Sequence, residues 1–210
     1  MSRRGVLTVV SGFSGAGKGT LMKALLKKYS YGLSISATTR QPREGEVHGR
    51  EYFFLTREEF ESMIKGGELF EYAEYVGNYY GTPKSYVEQQ LQEGKDVILE
   101  IEIQGALQVK EMYPEALLLF VTPPTISELK NRLIGRGTES METIKKRLDR
   151  ACEEASFMSH YDYIIVNDDL AECVETTHQI IQNEHSKVSK NGVFIEALTA
   201  ELKTMKEGAL

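Results

Sequence analysis

Cysteine is scarce in this chain of 210 residues: there are two, Cys152 and Cys173, far apart and without CxxC spacing. That excludes a disulfide framework and disfavours a metal site, leaving two free or buried thiols as the expectation. Long apolar runs are missing too. No stretch approaches the roughly 20 residues needed to span a bilayer. The opening Met1-Ser2-Arg3-Arg4-Gly5 is too short before the first apolar run to be a signal peptide. These absences point to a cytoplasmic protein that does not engage a membrane. There is no extended basic stripe, and the formal net charge is −6, so bulk nucleic-acid binding is disfavoured. Internal repeats and low-complexity tracts are absent. What remains is a globular composition, 41% hydrophobic and 27% charged, at about the size of one α/β domain with insertions. The basic residues come in small clusters, which suits binding of a few phosphates.

Apolar strand-like runs recur at 6–10, 33–37, 97–101, 116–121 and 163–166, with helix-like stretches between most of them. That alternation predicts an α/β fold with a parallel sheet covered by helices on both faces. Several helix starts are marked. Thr56-x-x-Glu59 and Thr125-x-x-Glu128 fit the capping box. Pro123-Pro124 blocks a helix before Thr125, and Asp168 or Asp169 can cap the helix that runs through Ile181. Two regions break the rhythm. Residues 36–82 are polar and aromatic, with short strand-like pieces at 51–55 and 69–76, and read as an inserted mixed subdomain. Residues 125–158 read as a helical lid carrying Arg132, Arg136, Arg147 and Arg150. Residues 186–210 end amphipathic, with Ile195, Leu198, Leu202 and Met205 at helical spacing. A helix packed on the body or on a partner subunit is expected there, so a homo-oligomer stays open.

The most informative segment is Gly12-Phe13-Ser14-Gly15-Ala16-Gly17-Lys18-Gly19-Thr20. It follows the first strand-like run and precedes Leu21, Leu25 and Leu26 at helical spacing. Strand, glycine loop and Lys at a helix start form the phosphate-binding P-loop context. Inward-turned amides and the helix N-terminus make an anion-binding concavity, and Lys18 would reach the β- and γ-phosphates. Gly19 stands where many P-loops place a Mg²⁺-binding Ser or Thr. Magnesium is therefore expected to be held by phosphate oxygens, water and a carboxylate from elsewhere, with no protein ligand assigned directly.

Four further groups carry charge or aromatic character. Ser36-Ala37-Thr38-Thr39-Arg40-Gln41-Pro42-Arg43 sets two arginines beside hydroxyls, and the guanidinium fork pairs bidentately with phosphate. The segment from Glu71 through Tyr80, Gly81 and Thr82 interleaves tyrosines with Gly and Asn around a carboxylate that could accept from a base edge. Asp96-Val97-Ile98-Leu99-Glu100-Ile101-Glu102 is an apolar strand ending in carboxylates, with Glu100 and Glu102 on one face. Arg132, Gly135-Arg136-Gly137-Thr138 and Arg147 could close onto a transferring phosphoryl group. Taken singly, these also suit a solvated turn, a packed strand pair, a strand end and a basic helix face.

In their order and spacing the segments resemble the guanylate kinases. The most specific pieces are Thr38-Thr39-Arg40-Gln41-Pro42-Arg43, Gly77-Asn78-Tyr79-Tyr80-Gly81 and Gly135-Arg136-Gly137-Thr138. The resemblance implies a P-loop core over 1–35, 83–124 and 159–210, a GMP-binding subdomain over 36–82 and a lid over 125–158. It implies that Ser36, Glu71 and Thr82 read guanine, and that Arg40, Arg43, Tyr52 and Tyr80 hold the GMP phosphate. Glu100 and Glu102 match an acidic pair counted with that site. The loop from Gly12 to Thr20, with Asn167 and Asp168 at the adenine edge, is implied to bind ATP. Lys18, Arg40, Arg132, Arg136 and Arg147 are implied to meet the phosphates during transfer. Phe13 departs from the family's usual Pro, and Glu102 from its usual Asp.

The expected reaction is ATP + GMP ⇌ ADP + GDP with Mg²⁺, by direct in-line transfer. The expected partners are ATP and GMP, with no nucleic acid and no membrane. Two rivals are a non-catalytic interaction module of the same family and a kinase for another nucleoside monophosphate. The intact Lys18 loop argues against the first and Glu71 with its tyrosine-rich surroundings against the second.

Overall fold

The computed structural model describes residues 3–135 and 140–208. Strands β1 (Leu7–Gly12), β2 (Gly32–Leu33), β7 (Val97–Glu100), β8 (Leu117–Thr122) and β9 (Tyr163–Val166) form one sheet in the order β2-β7-β1-β8-β9. Every pairing in it is parallel. β1 is central, with Val9 opposite Leu99 on one side and Leu118 on the other. Alternation divides its side chains between two cores. Leu7 and Val9 pack with Val87, Leu91 and Val109 from helices α3 (Lys84–Gln92) and α4 (Ile103–Met112). Val6 and Val10 pack with Leu21, Leu25 and Ile181 beneath α1 (Lys18–Lys28) and α7 (Leu170–Glu184). Burial on both faces is why these strands read as unbroken apolar runs. Truncating a fully buried member such as Leu25 to Ala would cost about 2–5 kcal/mol.

A polar node pins the chain terminus to this sheet. The Asp96 carboxylate, just before β7, accepts from Val6 N at 2.9 Å and Gln182 Nε2 at 3.1 Å, and pairs with His185 Nε2 at 2.8 Å. Asp96 and His185 are both buried, so each satisfies the other where water cannot.

The second sheet has the order β4-β3-β6-β5, built from β3 (Ala37–Thr38), β4 (Phe53–Phe54), β5 (Leu69–Tyr75) and β6 (Asn78–Pro83). Helix α2 (Arg57–Lys65) covers it through Phe60, which stacks on Tyr79 at 5.2 Å. The run 33–37 is therefore not one strand. Leu33 pairs with Ile98 in the main sheet and Ala37 with Gly81 in the second. Partners distant in sequence decide that split, which local pattern cannot register. The piece expected at 51–55 shortens to β4.

Thr56 forms both halves of its capping box. At the start of α5 (Ile126–Gly135), Glu128 N donates to Thr125 Oγ1 at 3.1 Å, but the Glu128 carboxylate accepts from Arg132 Nε at 2.8 Å. Helix α6 (Met141–Ala155) follows. Asp169 caps α7 by accepting from Glu172 N at 2.9 Å. Helix α8 (Gly192–Gly208) forms as its spacing predicts, but within this chain its apolar stripe is not packed on the body: Leu202 is 60% and Met205 71% exposed. Both cysteines are free, Cys152 exposed and Cys173 buried.

Candidate active site

All five strands of the main sheet point the same way, so their carboxyl ends share one edge. That edge is where open α/β sheets bind ligands. β1 ends there at Gly12, β7 at Glu100, and β9 hands over to Asn167.

The glycine loop bends between β1 and α1. Gly12 has φ +147, and a Cβ on it would lie 2.0 Å from Val121 O in the neighbouring strand. Gly17 has φ +92 and caps α1 with no side-chain hydrogen bond, while a Cβ there would sit 2.4 Å from Asn167 Nδ2. An uncapped helix start with no acidic residue in its first turn leaves its amides for an anion. Lys18 Nζ folds back to donate to Gly12 O at 2.6 Å and Phe13 O at 3.2 Å. A cavity of about 200 Å³ opens over the loop, lined by Phe13, Ser14, Gly15, Gly17, Lys18, Gly19, Glu100 and Glu102. Gly19 faces open space, and Thr20 is exposed beyond it.

The acidic strand end thus meets the lysine of the loop, whereas the sequence reading groups Glu100 and Glu102 with the monophosphate. Burial holds the Glu100 carboxyl above its usual range; Lys18 pulls it down and the neighbouring Glu102 pushes it up. Arg150 of α6 reaches Glu102 at 3.3 Å and Glu154 at 2.9 Å. The sequence marked Arg150 as a lid arginine without assigning it a contact.

Arginines of α5 and α6 lie against the loop. Arg147 Nη1 donates to Ser14 Oγ at 2.7 Å. Arg132 donates to Asn167 O at 2.9 Å and Ala16 O at 3.3 Å. The buried Asn167 side chain donates to Ala16 O at 2.8 Å, so it shapes the loop. Asp168 follows it, before the cap of α7. Arg136, Gly137 and Thr138 lie outside the described residues.

The second sheet carries the other group. Thr82, buried on β6, donates to Glu71 Oε1 on β5 at 2.7 Å. Burial raises the Glu71 carboxyl above its usual range, with the Thr82 hydrogen bond opposing the shift. Ser36 lies just before β3, its carbonyl accepting from Phe53 N at 2.9 Å. Arg40 Nη2 donates to both oxygens of Glu46 at 3.0 Å, and the guanidinium lies 5.4 Å over the Tyr52 ring. Tyr52 is 6.1 Å from Tyr80. Arg43 enters the same turn through its amide, which donates to Glu46 at 2.7 Å.

Helix α4 joins the two groups. Its N-cap is Glu102, at the phosphate-loop cavity, and Gly105, three residues on, packs against Glu71. Three residues of helix rise only about 4.5 Å. Gly105 is a neighbour of Glu71 that the sequence pattern does not single out. The sole signal was a glycine at a helical position.

A P-loop at the carboxyl edge of a parallel sheet, faced by a small mixed sheet with its own carboxylate, arginine and tyrosines, defines a phosphotransferase of the nucleoside monophosphate kinase class. The guanylate kinase family model matches residues 4–184. The chain is 54% identical over 201 residues to a guanylate kinase of Enterococcus faecalis, covering 94% of this chain and 98% of that one. It is 52% identical over 205 residues to one from Bacillus cereus, covering 96% and 99%. The crystal structure of guanylate kinase from Anaplasma phagocytophilum superposes with a TM-score of 0.68 at 33% identity, covering 90% of each chain. The chain belongs to the guanylate kinase family, whose reaction is phosphoryl transfer from ATP to GMP.

Proposed function

We propose that ATP binds on the Gly12–Thr20 loop, GMP binds on the second sheet, and the γ-phosphoryl group passes between them over the first turn of α4. The observation that carries this is α4 itself, which sets Glu102 at the phosphate loop and Gly105 against Glu71 within one turn.

A GMP phosphate oxygen attacks the γ-phosphorus in line, the bond to the β-bridging oxygen breaks, and ADP leaves. The attacking phosphate is already ionised, so no strong general base is required, and the protein contributes positioning and charge neutralisation. Lys18 exchanges its two loop carbonyls for the β- and γ-phosphates. Arg132, Arg136 and Arg147 neutralise charge from the lid side, and Asn167 and Asp168 border the adenine. Arg40, Arg43, Tyr52 and Tyr80 hold the GMP phosphate. We take 36–82 as the GMP subdomain, 125–158 as the lid and the remainder as the core.

Guanine is selected by hydrogen-bond polarity. Glu71 accepts from N1–H and the 2-amino group, while O6 accepts from the Ser36 hydroxyl, or from Thr82 only if its proton leaves Glu71 Oε1. Adenine turns its N1 lone pair toward the carboxylate, leaving buried groups unpaired at about 1–3 kcal/mol each.

Glu100 and Glu102 suit magnesium that keeps water and phosphate oxygens as its other ligands. Among the described residues there is no cluster of three or more His, Cys, Asp or Glu that could hold a metal ion. When bound, it neutralises the phosphate oxygens of ATP. Among the described residues no helix is long and apolar enough to cross a membrane. A cytoplasmic location accords with the substrates.

Initial rates with GMP, AMP, CMP and UMP at equal concentration, with ATP as donor, test the reading. GMP is expected to be preferred by orders of magnitude, and equal rates with AMP would overturn the base assignment.

A further inference from the structure

Gly105 is buried in the first turn of α4, and its backbone is not in the left-handed region. Conformation therefore does not require glycine, which is the poorest helix former after proline. Its surroundings do explain it. A Cβ at this position would lie 3.0 Å from Glu71 Oε2 and 3.3 Å from both Cδ and Cγ of the same side chain. The three nearest atoms all belong to Glu71. On the carboxylate's other oxygen, the Thr82 hydroxyl donates at 2.7 Å. Gln108, one turn further along α4, docks the strand that carries Glu71: its Oε1 accepts from Tyr72 N at 3.3 Å.

We propose that Gly105 is a positioning residue for base recognition. Its missing side chain lets the Glu71 carboxylate settle against α4, between bare helix backbone and the Thr82 hydroxyl, at the depth and angle from which both oxygens can meet guanine. The proposal rests on the reading that Glu71 binds the base. A methyl group at 105 would displace the carboxylate by a few tenths of an ångström. Two hydrogen bonds share that planar group, so a sideways shift misaligns one of them more than the other. The guanine 2-amino contact is the one that distinguishes GMP from IMP, which lacks that amine.

The test is Gly105→Ala, with steady-state kinetics on GMP and IMP, the KM for ATP and the Tm. The KM for GMP should rise about threefold to tenfold and the GMP-over-IMP preference should fall by at least about threefold, the scale of a sub-ångström misplacement. At saturating GMP, kcat should stay within about twofold of wild type. The KM for ATP and the Tm should not worsen, because Ala is the better helix former. In a Glu71→Gln background, adding Gly105→Ala should leave the preference where it stands, since coupled residues are not additive. If Gly105→Ala leaves both GMP values at wild type while Glu71→Gln lowers the preference, the role of Gly105 is wrong and the base reading stands. If Glu71→Gln also leaves the preference unchanged, the base reading itself fails. A joint rise in both KM values with a fall in Tm would make Gly105 a general packing residue and overturn the proposal.

Discussion

The side-chain amide of Asn167 donates to the carbonyl of Ala16 at 2.8 Å, tying the exit of β9 to the phosphate loop across 151 residues. The Asn167 carbonyl in turn accepts from Arg132. One residue thus ties the end of β9, the glycine loop and α5 together. Asn167→Ala would cost the Ala16 carbonyl its shorter hydrogen bond, leaving the one from Arg132 Nη1 at 3.3 Å, and would leave space where Gly17 now meets the amide. The KM for ATP should rise about tenfold, the loss of roughly one buried hydrogen bond at 1–1.5 kcal/mol, with the KM for GMP nearly unchanged. Asn167→Asp removes the donor at constant size and should behave alike. Equal effects on both substrates would show that the contact is only structural.

Lys18 Nζ donates to the carbonyls of Gly12 and Phe13. Lys18→Met should lower kcat by orders of magnitude while the fold survives, since the side chain lines an open cavity. Rates and a thermal unfolding curve check both halves. Retention of more than about a tenth of activity, a loss under roughly 1.4 kcal/mol, would remove Lys18 from the transfer step.

Glu71 is burdened by burial, which raises its carboxyl above the ordinary value of 4.5. The folded protein therefore holds that proton more tightly than the unfolded chain. The contribution to stability is full below about 4.5 and is lost as pH rises through the raised value. If Glu71 reads the base as proposed, GMP binding should run the other way, needing the ionised carboxylate and fading as pH falls through the same window. Glu71→Gln should be no less stable than wild type at pH 7 and should lack this part of the pH dependence, as denaturant titrations across pH would show. Its kcat/KM for GMP should fall by about 2–4 kcal/mol, from lost charge assistance and an unpaired group. A GMP-to-AMP ratio within about threefold of wild type would mean that Glu71 does not read the base.

Glu102 lines the same cavity as Lys18 and pairs with Arg150, with both side chains largely exposed. The pair itself should contribute little to stability. If the carboxylate organises magnesium, Glu102→Asp should remain a working enzyme. Glu102→Gln should need a higher magnesium concentration for half-maximal rate, by about tenfold for one lost charge contact. Identical magnesium titrations for both variants would reduce the position to a solvated helix cap.

Val76 and Gly77 form the β5–β6 turn with φ of 49 and 73. Positive φ suits Gly77 but strains a β-branched residue, and Val76 is exposed. Val76→Asn should stabilise the protein by about 1 kcal/mol without changing turnover. A lower denaturation midpoint would contradict the turn assignment.

The phosphate loop, the parallel strands and the capped helices were legible because each is encoded within a few residues. Strand 6–10, glycines 12–19 and Lys18 need no distant partner to declare a strand–loop–helix turn. Buried strands show as apolar runs whatever their neighbours. The Thr56 box was readable for the same reason, because cap and acceptor lie three residues apart. Composition also allowed free thiols, and the structure has them.

What tertiary structure decided concerns pairs remote in sequence. The run 33–37 splits because Leu33 and Ala37 find strands in different sheets. The buried Asp96–His185 pair, the Asn167–Ala16 clamp and the Gly105 floor beneath Glu71 leave no local trace, since each joins side chains brought together only by the folded sheet. The α8 stripe shows the converse. Spacing determined that the helix is amphipathic, but whether its apolar face is covered depends on a surface the local pattern does not contain, and within this chain that face stays exposed. Periodicity sets how a segment folds on itself; the free energy of burial against a distant partner sets where it goes.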